Sequence, residues 1–197
     1  MATIDYYFAT ISPFSYLAGM RLEEVAARHG AQINYKPLDI MALFARTGGV
    51  SPKDRHPSRA EYRLQEMRRQ SDSTGLDLKL KPAHWPTNAA PSSYAIIAAQ
   101  AAGGGDVGLL AHSILRTCWS EEKNIAEDDV IRGCLNEAGF DSELANSGLL
   151  SGAETYSRNL EDAVNAGVFG APFYVVGDER YWGQDRLADL DRYLSTV

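Results

Sequence analysis

Ile4-Asp5-Tyr6-Tyr7-Phe8-Ala9-Thr10-Ile11-Ser12-Pro13-Phe14-Ser15-Tyr16 passes from one periodicity into another. Ile4, Tyr6 and Phe8 alternate with Asp5, Tyr7 and Ala9, the period-two pattern of a strand rich in aromatic side chains. Serine is favoured at a helix N-cap and proline at the first helical position, so Ser12-Pro13 should start a helix at a defined point. Residues 14–29 then place Leu17, Met20, Val25 and Ala26 near one helical stripe, and Gly30 supplies the stop. Residues 32–37 alternate again, with Ile33 and Tyr35 on one face and Asn34 and Lys36 on the other. Strand, helix and strand in so short a span predict a β-α-β unit with parallel strands.

Outward from this unit the character changes. Residues 41–53 lose periodicity and collect Gly48, Gly49, Ser51 and Pro52, which reads as a loop. Residues 58–74, 91–102, 107–121, 126–138 and 151–166 all have helical spacing and composition. After Gly170-Ala171-Pro172 a short run, Phe173-Tyr174-Val175-Val176, reads as a strand ended by the turn Gly177-Asp178, with Tyr181-Trp182 as a return strand. Residues 184–194 place Leu187, Leu190 and Leu194 on one face of a closing amphipathic helix. The fold class is α/β: residues 1–55 and 167–197 form β-α-β and β-β-α halves of one domain, and residues 56–166 an all-helical insertion between them. Gly103-Gly104-Gly105-Asp106-Val107-Gly108 satisfies G-x-G-x-x-G, but an alanine-rich helix precedes it where a dinucleotide site needs a strand, so it reads as an interhelical turn.

A chain of 197 residues, 45% hydrophobic and 23% charged, fits one domain with a sizeable insertion. No apolar run approaches the length of a membrane span, and the first residues form no basic-then-apolar leader, so a cytoplasmic protein is expected. Its 19 basic and 26 acidic residues leave a formal charge of -7, which argues against a nucleic-acid partner. Cys118 and Cys134 make no Cys-x-x-Cys pair and read as buried thiols. His29, His56, His84 and His112 show no metal-ligand spacing, so no metal is expected.

With Ser12-Pro13-Phe14-Ser15-Tyr16 at its first strand-to-helix turn, this skeleton resembles the 2-hydroxychromene-2-carboxylate isomerases and the related kappa-class glutathione transferases. That resemblance implies a thioredoxin-like fold with a DsbA-like helical insertion. Three further stretches carry it. Phe169-Gly170-Ala171-Pro172-Phe173 looks like the family's cis-proline segment, and Trp182-Gly183-Gln184-Asp185-Arg186-Leu187 resembles its W-G-x-D-R-L motif. Pro82-Ala83-His84-Trp85-Pro86-Thr87-Asn88 resembles its pre-helix loop. One stretch departs: family members often carry asparagine after a glycine in the loop that here reads Thr47-Gly48-Gly49.

Ser12 read by itself is a helix cap among unpaired amides at the positive end of a helix, a place that favours an anion. Its hydroxyl cannot exchange disulfides, and no histidine neighbours it in sequence to make it a nucleophile. By resemblance its role is to donate a hydrogen bond to the thiolate of glutathione. A free thiol of pKa about 8.5 is only ~3% ionised at pH 7, and lowering that pKa to about 6.5 makes most of it thiolate, a change of about 2.7 kcal/mol. The resemblance further implies that Ala171, next to a cis Pro172, pairs with the cysteinyl part of glutathione. Asp185 would meet its free amino group, and Gln184 with the amides leading into Arg186 and Leu187 its carboxylate. Lys36 would neutralise the carboxylate of an aromatic substrate, and Trp85, Pro86 and Asn88 would wall the site. Each has a plainer alternative: a trans proline opening a strand, a capping Asp185 beside a solvated Arg186, a surface Lys36, and a loop packed on the core.

The implied reaction is a cis-trans isomerisation. Glutathione thiolate adds to the conjugated carbon of a 2-hydroxychromene-2-carboxylate or its ring-opened form, a fixed double bond becomes rotatable, and elimination returns glutathione and trans-o-hydroxybenzylidenepyruvate. Relatives are commonly dimers, so a homodimer is expected. The same pattern also fits a kappa-like glutathione transferase or peroxidase, in which glutathione is consumed, and a catalytically silent peptide-binding protein.

Overall fold

The computed structural model describes residues 1–197. Strands β1 (Thr3–Phe8) and β2 (Gln32–Pro37) pair in parallel, with Tyr6 opposite Tyr35 and Tyr7 opposite Lys36. Strands β3 (Phe173–Val176) and β4 (Glu179–Trp182) form an antiparallel hairpin, and β3 runs antiparallel to β1. The sheet order is β2-β1-β3-β4, so the two halves expected from the sequence meet at β1 and β3 in a DsbA-like thioredoxin fold.

The alternation along β1 sets the layers. Ile4, Tyr6 and Phe8 enter the main core with Tyr35 and Tyr174, where the Tyr6 ring stacks 4.6 Å from Phe8 and 5.2 Å from Tyr174. Tyr7 points to the other face and joins Leu38, Leu43, Ala163, Val168 and Phe173 in a smaller core. Offset aromatic stacking of this kind adds about 0.5–1.5 kcal/mol per pair beyond the area it buries.

Two sequence readings are corrected on this scaffold. Residues 14–29 do not form one helix but two, α1 (Pro13–Leu17) and α2 (Arg21–His29). The break falls at Gly19, whose φ of +59° lies in the left-handed region that glycine enters without penalty. The carbonyls freed there are capped by Arg21, which donates to Leu17 O at 2.8 Å and to Ala18 O at 3.0 Å. Most of the segment read as a loop is helix α3 (Ile40–Thr47), started by Asp39, whose carboxylate accepts from the amides of Met41 and Ala42. Only from Gly48 onward does the loop reading hold, and Pro52–Asp54 make a single 3-10 turn there.

The inserted helices are α4 (Pro57–Thr74), α5 (Ala90–Ala102), α6 (Val107–Trp119), α7 (Asp128–Glu137), the short α8 (Leu144–Ser147), which the sequence reading lacked, and α9 (Leu149–Asn165). Their apolar faces continue the main core through Ile96, Leu110, Ile114, Trp119 and Leu135. Gly152 lets α9 lie close against α5, since a Cβ there would fall 2.6 Å from that of Tyr94. The glycine-rich run after α5 is the interhelical turn expected, and Asp106 within it caps α6 by accepting from the Leu109 amide at 2.9 Å. The chain closes with a 3-10 turn (Gln184–Arg186) leading into α10 (Leu187–Leu194), so Asp185 sits in that turn and not in the helix proper.

Candidate active site

Ser12 caps α1 as its sequence context demands. Its backbone is extended (φ -89°, ψ 121°), its Oγ accepts from the Ser15 amide at 3.2 Å, and its hydroxyl donates to the Ala171 carbonyl at a long 3.4 Å. Because α1 ends at Leu17, the positive field at Ser12 comes from the amides of one short turn; the longer helix expected from residues 14–29 does not stand behind it.

The Ala171-Pro172 peptide bond is cis, as is Trp85-Pro86. The carbonyl of Pro172 accepts from the Gly183 amide at 3.0 Å, which straps the 183–187 segment against the proline turn. Gly183 has φ +114°, and a Cβ on it would lie 2.5 Å from Asp185 Oδ1, so the Asp185 carboxylate is folded over a position only glycine fills. Asp185 and Arg186 remain exposed and pair at 3.1 Å, Gln184 is buried, and Leu187 sits in the core. The turn Gln184–Arg186 packs against α1. Ser12 from the start of the chain therefore converges with Ala171, Pro172 and the 184–187 segment from its end.

Trp85 joins them through its indole N–H, which donates to the Ile11 carbonyl at 3.0 Å. Asn88 is exposed, and its side-chain oxygen accepts from the Ala90 amide at the start of α5. Pro86 is exposed beside Trp85. Lys36 lies on the sheet face of Tyr7 and is already engaged, with Asp162 at 3.0 Å, Asp5 at 3.6 Å and the Tyr7 ring 5.3 Å away. The structure thus places Lys36 in an ion-pair cluster with Asp5 on β1 and Asp162 on α9.

One group of residues escaped the sequence reading. A cleft of about 350 Å³ opens beside α1, lined by Phe14 together with Arg55, Arg59, Tyr62 and Arg63 from the start of α4 and the turn before it. The Arg63 guanidinium lies 5.9 Å from the Phe14 ring and 5.6 Å from the Trp85 ring, so cleft and serine turn share these walls. Burial, with Arg55 close by, pulls the Arg63 pKa down to about 10. The spacing Arg59-x-x-x-Arg63, with Arg55 just ahead of the helix, was the available signal, because like charges four apart on a helix repel unless something between them is negative.

With this geometry in place, comparison with known proteins bears directly on it. The sequence profile of the DSBA-like thioredoxin domain matches residues 3–195. The 2-hydroxychromene-2-carboxylate isomerase of Sphingobium xenophagum is 30% identical over 195 residues, spanning 98% of this chain and 97% of the relative. The chain belongs to the 2-hydroxychromene-2-carboxylate isomerase family. A second isomerase of that name, from Pseudomonas putida, is 30% identical over 193 residues, with 95% and 92% covered. A solved 2-hydroxychromene-2-carboxylate isomerase structure superposes with a TM-score of 0.79 at 25% identity, covering 98% of this chain and 95% of that one.

Proposed function

We propose that this protein is a glutathione-dependent isomerase acting on a 2-hydroxychromene-2-carboxylate or a related aromatic acid. Its named relatives are isomerases, which supports the reaction class. The observation that carries the glutathione part is the hydrogen bonding of the Ser12 hydroxyl. Ser12 Oγ uses a lone pair on the Ser15 amide, and its own O–H has only the long bond to the Ala171 carbonyl. A hydroxyl so held can turn toward a sulfur anion without breaking a strong bond.

The residues around it fit glutathione. Ala171 brings a backbone edge beside Ser12, the amides entering α10 suit a carboxylate, and the exposed Asp185, paired with the adjacent Arg186, suits an ammonium. Gln184, Arg186 and Leu187 complete that cradle. Glutathione supplies a nucleophilic thiol that adds reversibly to a conjugated double bond, so that rotation can convert a ring-opened chromene into trans-o-hydroxybenzylidenepyruvate. Ser12 stabilises negative charge at the sulfur position, and Trp85 with Pro86 presents a flat apolar wall against which an aromatic ring stacks.

Calorimetric titration of reduced glutathione into the protein and its Ser12→Ala variant tests the reading, with ultraviolet thiolate absorbance followed as pH is varied. Saturable binding, with thiolate absorbance near neutral pH in the wild type that the variant loses, is the expected result. Absence of binding at millimolar glutathione removes the reading.

A further inference from the structure

We infer that Arg63, with Arg59 and Arg55, forms the carboxylate-binding subsite for the aromatic acid, a role nothing in the sequence reading gave them. The inference rests on the isomerase reading for its ligand and on the cleft beside α1 for its place.

Three arginines line one small cleft in a chain whose formal charge is -7. Fourteen ion pairs occur in the molecule, among them Arg116 with Glu137 and Arg132 with Glu143, and none involves Arg55, Arg59 or Arg63. The one acid that lines the cleft, Glu66, is turned to Arg69 at 3.3 Å. Arg63 in particular is partly buried over two aromatic rings, with no acceptor for its five N–H donors. A partly buried, unneutralised Arg63 with Arg55 and the exposed Arg59 beside it is unfavourable until an anion enters, and a carboxylate matches the guanidinium fork. Lys36, by contrast, already holds two carboxylates.

The surrounding chemistry selects which carboxylate. Phe14 and Trp85 flank the Arg63 guanidinium and Tyr62 lines the same cleft, and flat rings favour an aryl acid over the flexible aliphatic arm of a tripeptide. Trp85, whose ring lies 5.6 Å from the Arg63 guanidinium, donates to the carbonyl of Ile11, the residue before Ser12, so the cleft adjoins the serine turn. The Arg63 guanidinium would fix the acid end while the reacting carbons face Ser12.

The test uses 2-hydroxycinnamate and its methyl ester as probes, titrated by tryptophan fluorescence, with and without glutathione, into wild type, Arg63→Gln and the exposed-site variant Arg59→Gln. Thermal unfolding checks that each variant is folded. The acid should bind at least about tenfold more tightly than the ester, and each variant should weaken the acid about tenfold, the effect of losing a charge-assisted hydrogen bond. Glutathione affinity should change less than about twofold in both variants, as expected for residues that do not touch it. Equal binding of acid and ester, or an acid affinity untouched by either variant, overturns the inference. So does a loss confined to glutathione, which would assign the arginines to the tripeptide's carboxylate. Failure of glutathione to bind the wild type defeats the isomerase reading alone, because the acid titration is read without it.

Discussion

Ser12 and Ala171, 159 positions apart in sequence, are joined by a 3.4 Å hydrogen bond between the serine hydroxyl and the alanine carbonyl. That contact links the helix-capping turn to the proline turn, and it separates two roles of one side chain. Ser12→Ala removes both the cap and the donor, and should cost about 1 kcal/mol of stability. Ser12→Asp keeps a capping acceptor for the Ser15 amide but has no proton to offer a thiolate. Isomerisation should fall about a hundredfold or more in both, on the scale of losing a positioned donor, while only the alanine variant loses the cap. Urea unfolding and turnover measured on the same preparations decide this; an aspartate variant with near-normal turnover would sink the donor role.

Gly183 holds the strap between the proline turn and the last helix. At φ +114° it occupies backbone space closed to residues with a side chain, and Asp185 Oδ1 fills the place of its Cβ. Gly183→Ala should lower stability by about 1–3 kcal/mol and displace Asp185. Glutathione binding should weaken with it, whereas Gly133→Ala, where a Cβ would meet nothing within 4 Å inside α7, should leave binding unchanged. Calorimetry on the two variants distinguishes a local effect from general loss of structure.

Much of this was legible in the sequence, and the rest fails for identifiable reasons. The alternation of Ile4, Tyr6 and Phe8 and the Ser12-Pro13 start signal depend on neighbours in the chain, so they could be read from it. The break at Gly19 was hidden because Leu17, Met20 and Val25 keep near-helical spacing and one glycine costs a helix only about 1 kcal/mol; Arg21 supplies the cap that makes the break favourable. Helix α3 was masked by the turn residues after it, although Asp39 ahead of Ile40 and Leu43 carried its start signal. The arginine cleft needed α4 to pack on α1, which no local pattern encodes. Lys36 shows the same limit: its main partner Asp162 lies 126 residues away.

Lys36 offers a test of structural against substrate-binding roles. Burial alone lowers its pKa, but the Asp162 hydrogen bond and the nearby Tyr7, Asp5 and Asp162 outweigh this and leave it raised. A raised lysine pKa means that the stabilisation is fully present below the ordinary lysine range and lost only as pH rises through the folded value, so at neutral pH the cluster is intact. Lys36→Met should lower stability by about 1 kcal/mol, between the values for exposed and buried pairs. Its KM for the aromatic acid should stay within about twofold of wild type, as expected of a lysine whose charge is already engaged by Asp162 and Asp5. A large rise in KM would instead place Lys36 in contact with substrate.

Glu23 should make stability fall as pH rises. One oxygen accepts from the Tyr35 hydroxyl at 2.9 Å, while the other is buried without a partner. Burial pushes its carboxyl pKa up, against the lowering by hydrogen bonds from the backbone and Tyr35, and the charges of Asp106 and Glu24 add to the rise. The folded state therefore binds its proton more tightly than the unfolded chain does. Below the ordinary glutamate range, about pH 4.3, both states are protonated and Glu23 carries no penalty. As pH climbs from there through the raised folded value, the unfolded chain releases the proton first and stability declines, reaching its full loss above that value. Glu23→Gln keeps the acceptor for Tyr35 and cannot ionise, so its stability relative to wild type should increase across this window and then level off. Chemical denaturation of both proteins from pH 4 to pH 8 measures the difference; an offset constant with pH would mean that Glu23 ionises as freely in the folded protein as in the unfolded chain.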